Sequence, residues 1–444
     1  MKKYLLLLAA CWASLPAAAL DPLGAYTVQP PEGCVDKNVA TEELALEDLI
    51  QIGLCTNPSL AAQYMGVKAS EAGVGSSRSE YLPTITLTGV GNITGDKVEG
   101  GSYTQAEPYS GKAEASWLLF DFGGRGSRVG QVRAYLDAAQ FSYNAALQDL
   151  VLSIQTAYLN LLAAQESLLS ANASLDTYKQ SYNEAQKRYK LGMVSLSDRL
   201  QAKTRYEQAL LTVVQAENRV KQYSGNLSVL LNLSPDTEVK LFKPQYDAKF
   251  TQIENDDVKA LMKTALEKRP EILAQFSSEK AAKEGLSLSR TQMLPTLRAT
   301  ATAAYNDNWK HSSPYALGNS AGLVLSWPIF SGFSNMYQTQ KASFLYKQAQ
   351  NQTESLKRQV ESDVWNSYQN YKTAVRSYEI SQTVLESAEE NERVAFRYYE
   401  VGKGDIINLL TAVAQLADAR QNKITAFYSL LLSKANLYRS IGQY

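Results

Sequence analysis

The chain has 444 residues, enough for two or three ordinary domains, and its 44 Lys and Arg balance 44 Asp and Glu. A balanced charge gives no support for nucleic-acid binding, and the single histidine, His311 in a polar loop, gives little basis for histidine-dependent catalysis. The 27 tyrosines are a high number, which suits surfaces that are partly apolar and partly wet.

Residues 1–19 have the pattern of an export signal. Lys2 and Lys3 precede an apolar run, and Pro16-Ala17-Ala18-Ala19 forms a small-residue cleavage site. Removal of the two lysines would leave 42 basic against 44 acidic residues, a net charge near −2. The alternative is a lipoprotein signal, since Leu8-Ala9-Ala10-Cys11 resembles a lipoprotein box with the cysteine as the acylated residue.

Two cysteines, Cys34 and Cys55, remain after the signal. In an oxidising compartment we expect them to form a disulfide, worth about 3 kcal/mol in the chain-entropy model. Two free buried thiols are the alternative. Neither cysteine has neighbours suited to catalysis or metal binding, so we expect no metal site and no cofactor.

Residues 20–80 are interpreted as an N-terminal segment followed by the first helices. A helix with one apolar face is predicted from Thr41 to Leu54, and Asn57-Pro58 interrupts it. A second helix is predicted from Ser59 to about Glu80, and Leu82-Pro83 ends helical structure.

Residues 81–124 change to a period of two, which predicts a β-hairpin. In residues 84–90 apolar residues alternate with threonine. In residues 112–119 alanine, tryptophan and leucine alternate with Lys112, Glu114 and serine. The stretch from Gly95 to Gly111 is predicted to be the connecting loop.

Residues 125–233 are predicted to form a very long helical hairpin. From Ser127 to Lys190 the chain has no Pro and keeps apolar residues three or four positions apart. Such a helix would be on the order of 90 Å long. Gly192 is placed as its C-cap, and Ser195 or Ser197 can cap the returning helix.

The same order of features recurs about 210 residues later, which indicates an internal duplication. Leu82-Pro83 corresponds to Leu294-Pro295, and Trp117-Leu-Leu-Phe120 corresponds to Trp327-Pro-Ile-Phe330. The second repeat is therefore predicted to contain a helix at 258–293, a β-hairpin at 294–333 and a long helical hairpin at 334–444, after an irregular linker at 234–257.

No run of eighteen apolar residues follows the signal, so the alternating strands are the candidates for crossing a bilayer, as a closed barrel. One face would meet lipid and the other a wet lumen. The expected lipid-facing residues are Ile85, Leu87, Ala113, Ala115, Leu119, Leu323 and Leu325. The expected lumen residues are the threonines with Lys112, Glu114 and Arg298, and the expected aromatic girdle is Trp117, Phe120, Trp327 and Phe330.

Four strands cannot close a barrel, because about eight is the practical minimum. Several chains must therefore contribute, and three would supply twelve strands. The alternative is a half-buried sheet in a soluble periplasmic protein.

This plan resembles the TolC-type outer-membrane efflux proteins, or outer membrane factors. The shared features are Leu-Pro before each first strand, Trp-x-x-Phe at the end of each second strand and a glycine turn in each helical hairpin. The resemblance implies an α+β membrane protein, a homotrimeric channel-tunnel whose 12-stranded β-barrel in the outer membrane is continuous with a periplasmic α-helical coiled-coil barrel. It also implies a periplasmic adaptor protein, an inner-membrane ABC or RND transporter and outer-membrane lipid as partners. The implied function is drug efflux, type I protein secretion or both.

The resemblance further implies a gate at the periplasmic hairpin tips. Aligned on the tip glycines, the gate aspartate and tyrosine of the family fall on Asp198 and Tyr399. The alternatives are a helix N-terminal carboxylate for Asp198 and an ordinary seam residue for Tyr399. The tip residues expected to contact the adaptor are Leu191, Gly192, Met193, Val194, Val401, Gly402 and Gly404.

Three family positions at the tip differ in this chain. The arginine of the family falls on Gly404, and its two constricting aspartates fall on Asn408 and Thr411. Lys403 and Asp405 are therefore expected to supply part of the charge at the gate.

An enzyme is not expected, because the sequence has no phosphate-binding glycine loop, nucleophile elbow or metal-ligand cluster. The alternative from another class is an exported trimeric coiled-coil adhesin or stalk. Such a protein would need neither the duplication nor the paired strand hairpins.

Overall fold

The computed structural model describes residues 43–97, 99–101, 103–243, 257–308 and 315–443. The predicted signal, Cys34 and His311 lie outside these residues. The helices are α1 (Leu46–Thr56), α2 (Pro58–Ser79), α3 (Gly124–Lys190), α4 (Leu196–Leu230), α5 (Val258–Lys268), α6 (Pro270–Thr291), α7 (Ser334–Glu400) and α8 (Ile406–Ser440). The strands are β1 (Thr84–Gly91), β2 (Thr94–Lys97), β3 (Tyr103–Ala106), β4 (Pro108–Phe120), β5 (Thr296–Asn308) and β6 (Ala316–Ser326).

The chain divides into two compact units. The sheet unit contains Met65–Phe141 and Ala274–Glu354. The helical unit contains Ser142–Leu273 and Ser355–Tyr444, together with the described residues before Met65.

The first described helix begins later than the sequence predicts, because the chain before it is extended. The N–H of Leu44 donates to the Lys240 carbonyl at 2.9 Å, and the N–H of Phe242 donates to the Leu44 carbonyl at 3.0 Å. The helix predicted from Thr41 therefore starts at Leu46. These two hydrogen bonds join the N-terminal segment to the linker between the repeats.

Four strands form one antiparallel sheet in the order β1-β4-β5-β6. Because β4 pairs with β5, the hairpins of the two repeats belong to the same sheet. Within the described chain β1 and β6 each pair on one side only. The prediction of a loop from Gly95 to Gly111 is wrong in part, since β2 and β3 pair as a second ladder and β4 begins at Pro108.

The long helices confirm the duplication. Helices α3 and α7 have 67 residues each, and α4 and α8 have 35 each. Each 67-residue helix is followed by a glycine with positive φ, 72° at Gly192 and 78° at Gly402. Across the described ranges, no helix combines the length and apolar character needed to cross a membrane.

Buried apolar residues of the helical unit form three clusters among the described residues. The first contains residues of α1, α3, α4 and α8 with Val239 of the linker, and the second contains residues of α5 to α8. The third, called here the tip cluster, is formed by Tyr178, Ala185, Ala202, Ala209, Tyr399, Ile406, Leu409, Leu410 and Val413. Both hairpins contribute to the tip cluster, so apolar burial holds them together near their turns.

Candidate functional site

The strand register separates apolar from polar side chains on the two faces of the four-stranded sheet. One row of the apolar face consists of Ile85, Ala115, Ala301 and Ala321. The neighbouring row, on the polar face, consists of Thr86, Glu114, Thr302 and Ser320. The apolar face is not covered by the chain itself, because Ile85 is 80% and Leu323 68% exposed. An apolar surface of this extent is typical of contact with lipid or another protein.

One predicted lipid-facing residue, Leu119, lies at a β-bulge. The register shifts between Leu118 and Phe120, so Phe120 rather than Leu119 lies opposite Leu297. Leu119 is left outside the ladder. The alternation in the sequence did not predict this bulge, which adds one residue to the strand.

The two tryptophans predicted for the girdle have the same structural role in each repeat. The indole N–H of Trp117 donates to the Tyr81 carbonyl at 2.8 Å, and that of Trp327 donates to the Met293 carbonyl at 3.3 Å. Both rings are about half exposed or more, at 46% and 60%. Each tryptophan therefore joins the end of a strand to the end of the preceding helix and keeps an apolar surface exposed.

The predicted girdle phenylalanines each pack on a second phenylalanine. Phe120 contacts Phe122 edge-on with ring centroids 4.7 Å apart, and Phe330 contacts Phe333 at 5.4 Å. Phe122 and Phe333 adopt positive φ, which is uncommon for a large side chain. Each pair lies in the turn that leads from a strand into a long helix.

A second aromatic row was missed by the sequence analysis. Tyr305 lies between Tyr109 and Tyr315, with ring centroids 6.0 Å from each. The hydroxyls of Tyr109 and Tyr305 both donate to Asp307 at 2.9 Å. The signal was the recurrence of tyrosine at the start of β4 and near the end of β5.

Both helical hairpins turn with the same backbone geometry. The N–H of Met193 donates to the Arg188 carbonyl at 2.9 Å, and the N–H of Lys403 donates to the Tyr398 carbonyl at 2.9 Å. These bonds are the Schellman pattern of a helix that ends at a left-handed glycine.

The tip residues predicted to contact an adaptor are mostly exposed. Leu191, Met193 and Val401 are 74%, 62% and 64% exposed. Val194 and Gly404 are half-buried.

The predicted gate aspartates cap the returning helices. Asp198 and Ser195 form a reciprocal capping box, in which each backbone N–H donates to the side chain of the other at 3.1 Å. Asp405 accepts from both the backbone N–H and the side-chain amide of Asn408 at 2.8 Å. Within one chain, the contacts of Asp198 are therefore those of a carboxylate at a helix N-terminus, the alternative to a gate residue.

The other predicted gate residues are not brought together by one chain. Lys403 is exposed and forms no ion pair within the described part of the chain. The Thr411 hydroxyl donates to the Ile407 carbonyl of its own helix at 2.8 Å. A Cβ at Gly404 would lie 3.2 Å from the Tyr399 nitrogen, so a side chain at this position would be crowded.

Tyr399 lies at the contact between the two hairpins. It is 2% exposed, and the guanidinium of Arg188 covers its ring at 4.8 Å. Arg188 also donates to the Glu400 carbonyl at 2.6 Å and to the Glu184 carboxylate at 3.3 Å. Arg188 belongs to the first hairpin and Tyr399 to the second, so this contact joins the two turns.

The role of Arg188 was not predicted from the sequence. The signal was present, because Arg188 continues the buried three-and-four spacing of Ser181 and Ala185 on α3. A charged residue at a buried position needs a partner, and the partners here come mainly from a helix about 210 residues away.

Within the described part of the chain, the Tyr399 hydroxyl is a donor without an acceptor. Burial raises its pKa; the Arg188 charge opposes this, and the charges of Asp198 and Glu184 add to it. The hydroxyl therefore stays protonated at neutral pH. It has no hydrogen-bond partner among the described residues, so no hydrogen bond links it to Asp198 within one chain.

Cys55 is disulfide-bonded. Because Cys34 lies outside the described residues, the pairing of these two cysteines stays a prediction. Among the residues that the structure describes, no group of three or more His, Cys, Asp or Glu could hold a metal ion.

The chain resembles known proteins in both sequence and structure. The pattern of the family described as outer membrane efflux protein matches residues 49–233 and 261–443, one segment in each repeat. Protein CyaE of Bordetella pertussis is 26% identical, over 94% of this chain and 88% of its own length. Outer membrane protein TolC of Vibrio cholerae is 27% identical, over 86% of each chain.

A solved structure shares the fold. The CmeC outer membrane channel of Campylobacter jejuni superposes with a TM-score of 0.77 at 17% identity, covering 90% of this chain and 85% of that one.

Proposed function

The chain belongs to the outer membrane efflux protein family, and from this premise we propose that three copies form the exit duct of a tripartite export system. It is an outer-membrane protein that extends into the periplasm, with the fold of the channel-tunnels. The family match and the four-stranded sheet favour this function over an exported coiled-coil adhesin.

The open edges of the sheet are the observation that carries the proposal. Strands β1 and β6 each leave one row of backbone groups unpaired within the described chain. Unpaired edges in hydrocarbon are costly, so a bilayer requires the sheet to close. Pairing β6 of one copy with β1 of the next gives a twelve-stranded barrel from three copies.

The dimensions of the sheet support a membrane position. Strand β4 has 13 residues, which span about 40 Å at 3.3 Å per residue. At a tilt of about 45° this length covers about 30 Å, the thickness of the hydrocarbon core. The aromatic rows at Trp117 and Tyr109 lie toward the two ends of this strand, as interfacial girdles would.

The gate is proposed to lie at the hairpin turns. Arg188 joins the first hairpin to Tyr399 and Glu400 of the second, and this tie would hold the tip of the second hairpin in the closed state. The Tyr399 hydroxyl, which has no partner among the described residues, would donate to an acceptor of a neighbouring copy. Asp198, Lys403, Asp405, Asn408 and Thr411 complete the proposed gate.

The partners and cargo follow from the family. The exposed tip residues at 191–194 and 401–404 are proposed to contact a periplasmic adaptor, which would link the duct to an inner-membrane ABC or RND transporter. Small and apolar side chains there would allow another helical tip to approach closely. Drugs, secreted proteins or both are the proposed cargo.

Cysteine cross-linking of the sheet edges tests the trimer. We would combine Ser320→Cys on β6 with Thr86→Cys on β1, and with Thr84→Cys or Thr88→Cys to sample the register. Oxidation is expected to give covalent dimers and trimers. The matched control is Glu114→Cys with Thr302→Cys, a central pair in the same row, which should link only within one chain. Absence of covalent oligomers from every edge pair would contradict the proposed barrel.

A further inference from the structure

We infer that Arg298 gives the barrel part of the proposed channel a preference for anions over cations. This inference rests on the proposed function, because a single copy forms only an open sheet. It concerns the polar face of the sheet, which would line the lumen.

The four strands of the main sheet carry four charged residues, Lys112, Glu114, Arg298 and Asp307. The register places the first three on the polar face. Asp307 lies on the apolar face, where the Tyr109 and Tyr305 hydroxyls donate to it. The charge of Asp307 is therefore directed away from the proposed lumen.

Two of the three polar-face charges neutralise each other. The Lys112 ammonium lies 2.6 Å from the Glu114 carboxylate, and both side chains remain about half exposed. At a distance from the sheet such a pair acts as a small dipole and contributes little net potential. Arg298 is the charge that remains.

Arg298 has a neutral partner. Its guanidinium donates to the Ser116 hydroxyl at 2.9 Å, and it forms no ion pair within the described part of the chain. Its cross-strand neighbours, Leu118 and Val324, are apolar. The side chain is exposed, so its full positive charge faces the solvent on this side of the sheet.

Three-fold assembly would repeat this charge at one height. Arg298 is the third residue of β5, so the three guanidiniums would form a ring near one end of the barrel. Rings of arginine or lysine favour anions in pores. In a wide, water-filled lumen at about 0.1 M salt, screening limits such a ring to a roughly two- to five-fold effect on the anion-to-cation permeability ratio.

The test is the reversal potential of the full-length protein in planar bilayers under a KCl gradient. We expect Arg298→Gln to lower the anion-to-cation permeability ratio by about two- to five-fold. Arg298→Lys should keep the ratio. Glu114→Gln should raise it, because it releases the Lys112 charge.

Lys403→Gln, at a hairpin turn, tests whether the ion selectivity arises at the turns and not in the barrel. An unchanged ratio in Lys403→Gln with a lowered ratio in Arg298→Gln supports the barrel as the source. An unchanged ratio in Arg298→Gln, with conductance still measurable, overturns the inference. If no variant and no wild-type sample opens pores, the proposed channel function fails instead.

Discussion

The two hairpin turns contain a tyrosine at the same position of each repeat, and an arginine covers each ring. Tyr189 lies under Arg199 at 4.7 Å, and Arg199 comes from the returning helix of the same hairpin. Tyr399 lies under Arg188 at 4.8 Å, and Arg188 comes from the other hairpin. Both arginines belong to the first repeat, so the contact at Tyr189 lies within one hairpin and the contact at Tyr399 links the two hairpins.

The two repeats also differ at the kinks between their short helices, Asn57-Pro58 between α1 and α2 and Arg269-Pro270 between α5 and α6. In the first repeat the Asn57 side-chain amide donates to the Leu230 carbonyl at 3.2 Å, a neutral contact. In the second, Arg269 contacts Asp363 at 3.1 Å and Glu271 at 3.3 Å. At this position, therefore, the second repeat has ionic contacts and the first repeat has a neutral one.

The largest expected effect comes from removing Arg439 of α8, which contacts Glu271 beside the second kink. Arg439 is 7% exposed, and its guanidinium binds both Asp149 and Glu271. Arg439→Met should lower the free energy of unfolding by about 2–4 kcal/mol. The loss should be near 2 kcal/mol if Arg269, which also contacts Glu271, balances the charge of that carboxylate in the variant.

Val229 provides the matched control for Arg439, since it occupies the same position of α4 and is 56% exposed. Val229→Met should change stability by no more than about 0.5 kcal/mol. Thermal unfolding of the purified variants measures both. Equal losses of stability in the two variants would contradict a stabilising role for the ionic contacts of Arg439.

A smaller effect is expected from pH at the same kink. Burial alone would raise the pKa of Glu271, but hydrogen bonding from Arg439 and the charge of Arg269 outweigh it, so its pKa is lowered. The folded pKa lies below the unfolded one, so the stabilisation is complete above about pH 4.3 and is lost as pH falls through the folded pKa.

The pH dependence is checked by thermal midpoints measured from pH 7 downward. Glu271→Gln should have a flatter profile in the acid range than the wild type. Ser59 occupies the matching position in the first repeat, so the first kink adds no such titration. Parallel profiles for Glu271→Gln and the wild type would show that Glu271 does not stabilise the kink through its charge.

Local patterns in the sequence were sufficient to predict most of the elements. The long helices follow from three-and-four spacing without Pro, and their ends follow from Gly192 and Gly402. The alternation of Thr and apolar residues predicted the two faces of the sheet correctly but did not predict the bulge between Leu118 and Phe120. These features depend on residues near one another in the chain.

The missed features depend on contacts between distant residues. Arg188 reaches Glu400, 212 positions away, and Arg439 reaches Asp149, 290 positions away. Periodicity identifies a buried position but not the residue that faces it. For that reason the sequence did not identify Arg188 as the residue that joins the two hairpins.

Single-channel conductance in planar bilayers tests the central claim, that the chain forms a channel held closed through the second hairpin. The comparison uses wild type, Arg188→Ala and Arg199→Ala. The account predicts a small wild-type conductance, an increase of several-fold in Arg188→Ala because the tie to Tyr399 and Glu400 is lost, and little change in Arg199→Ala. Equal conductance in all three would contradict the proposed gate, and the absence of pores in all three would contradict the channel itself.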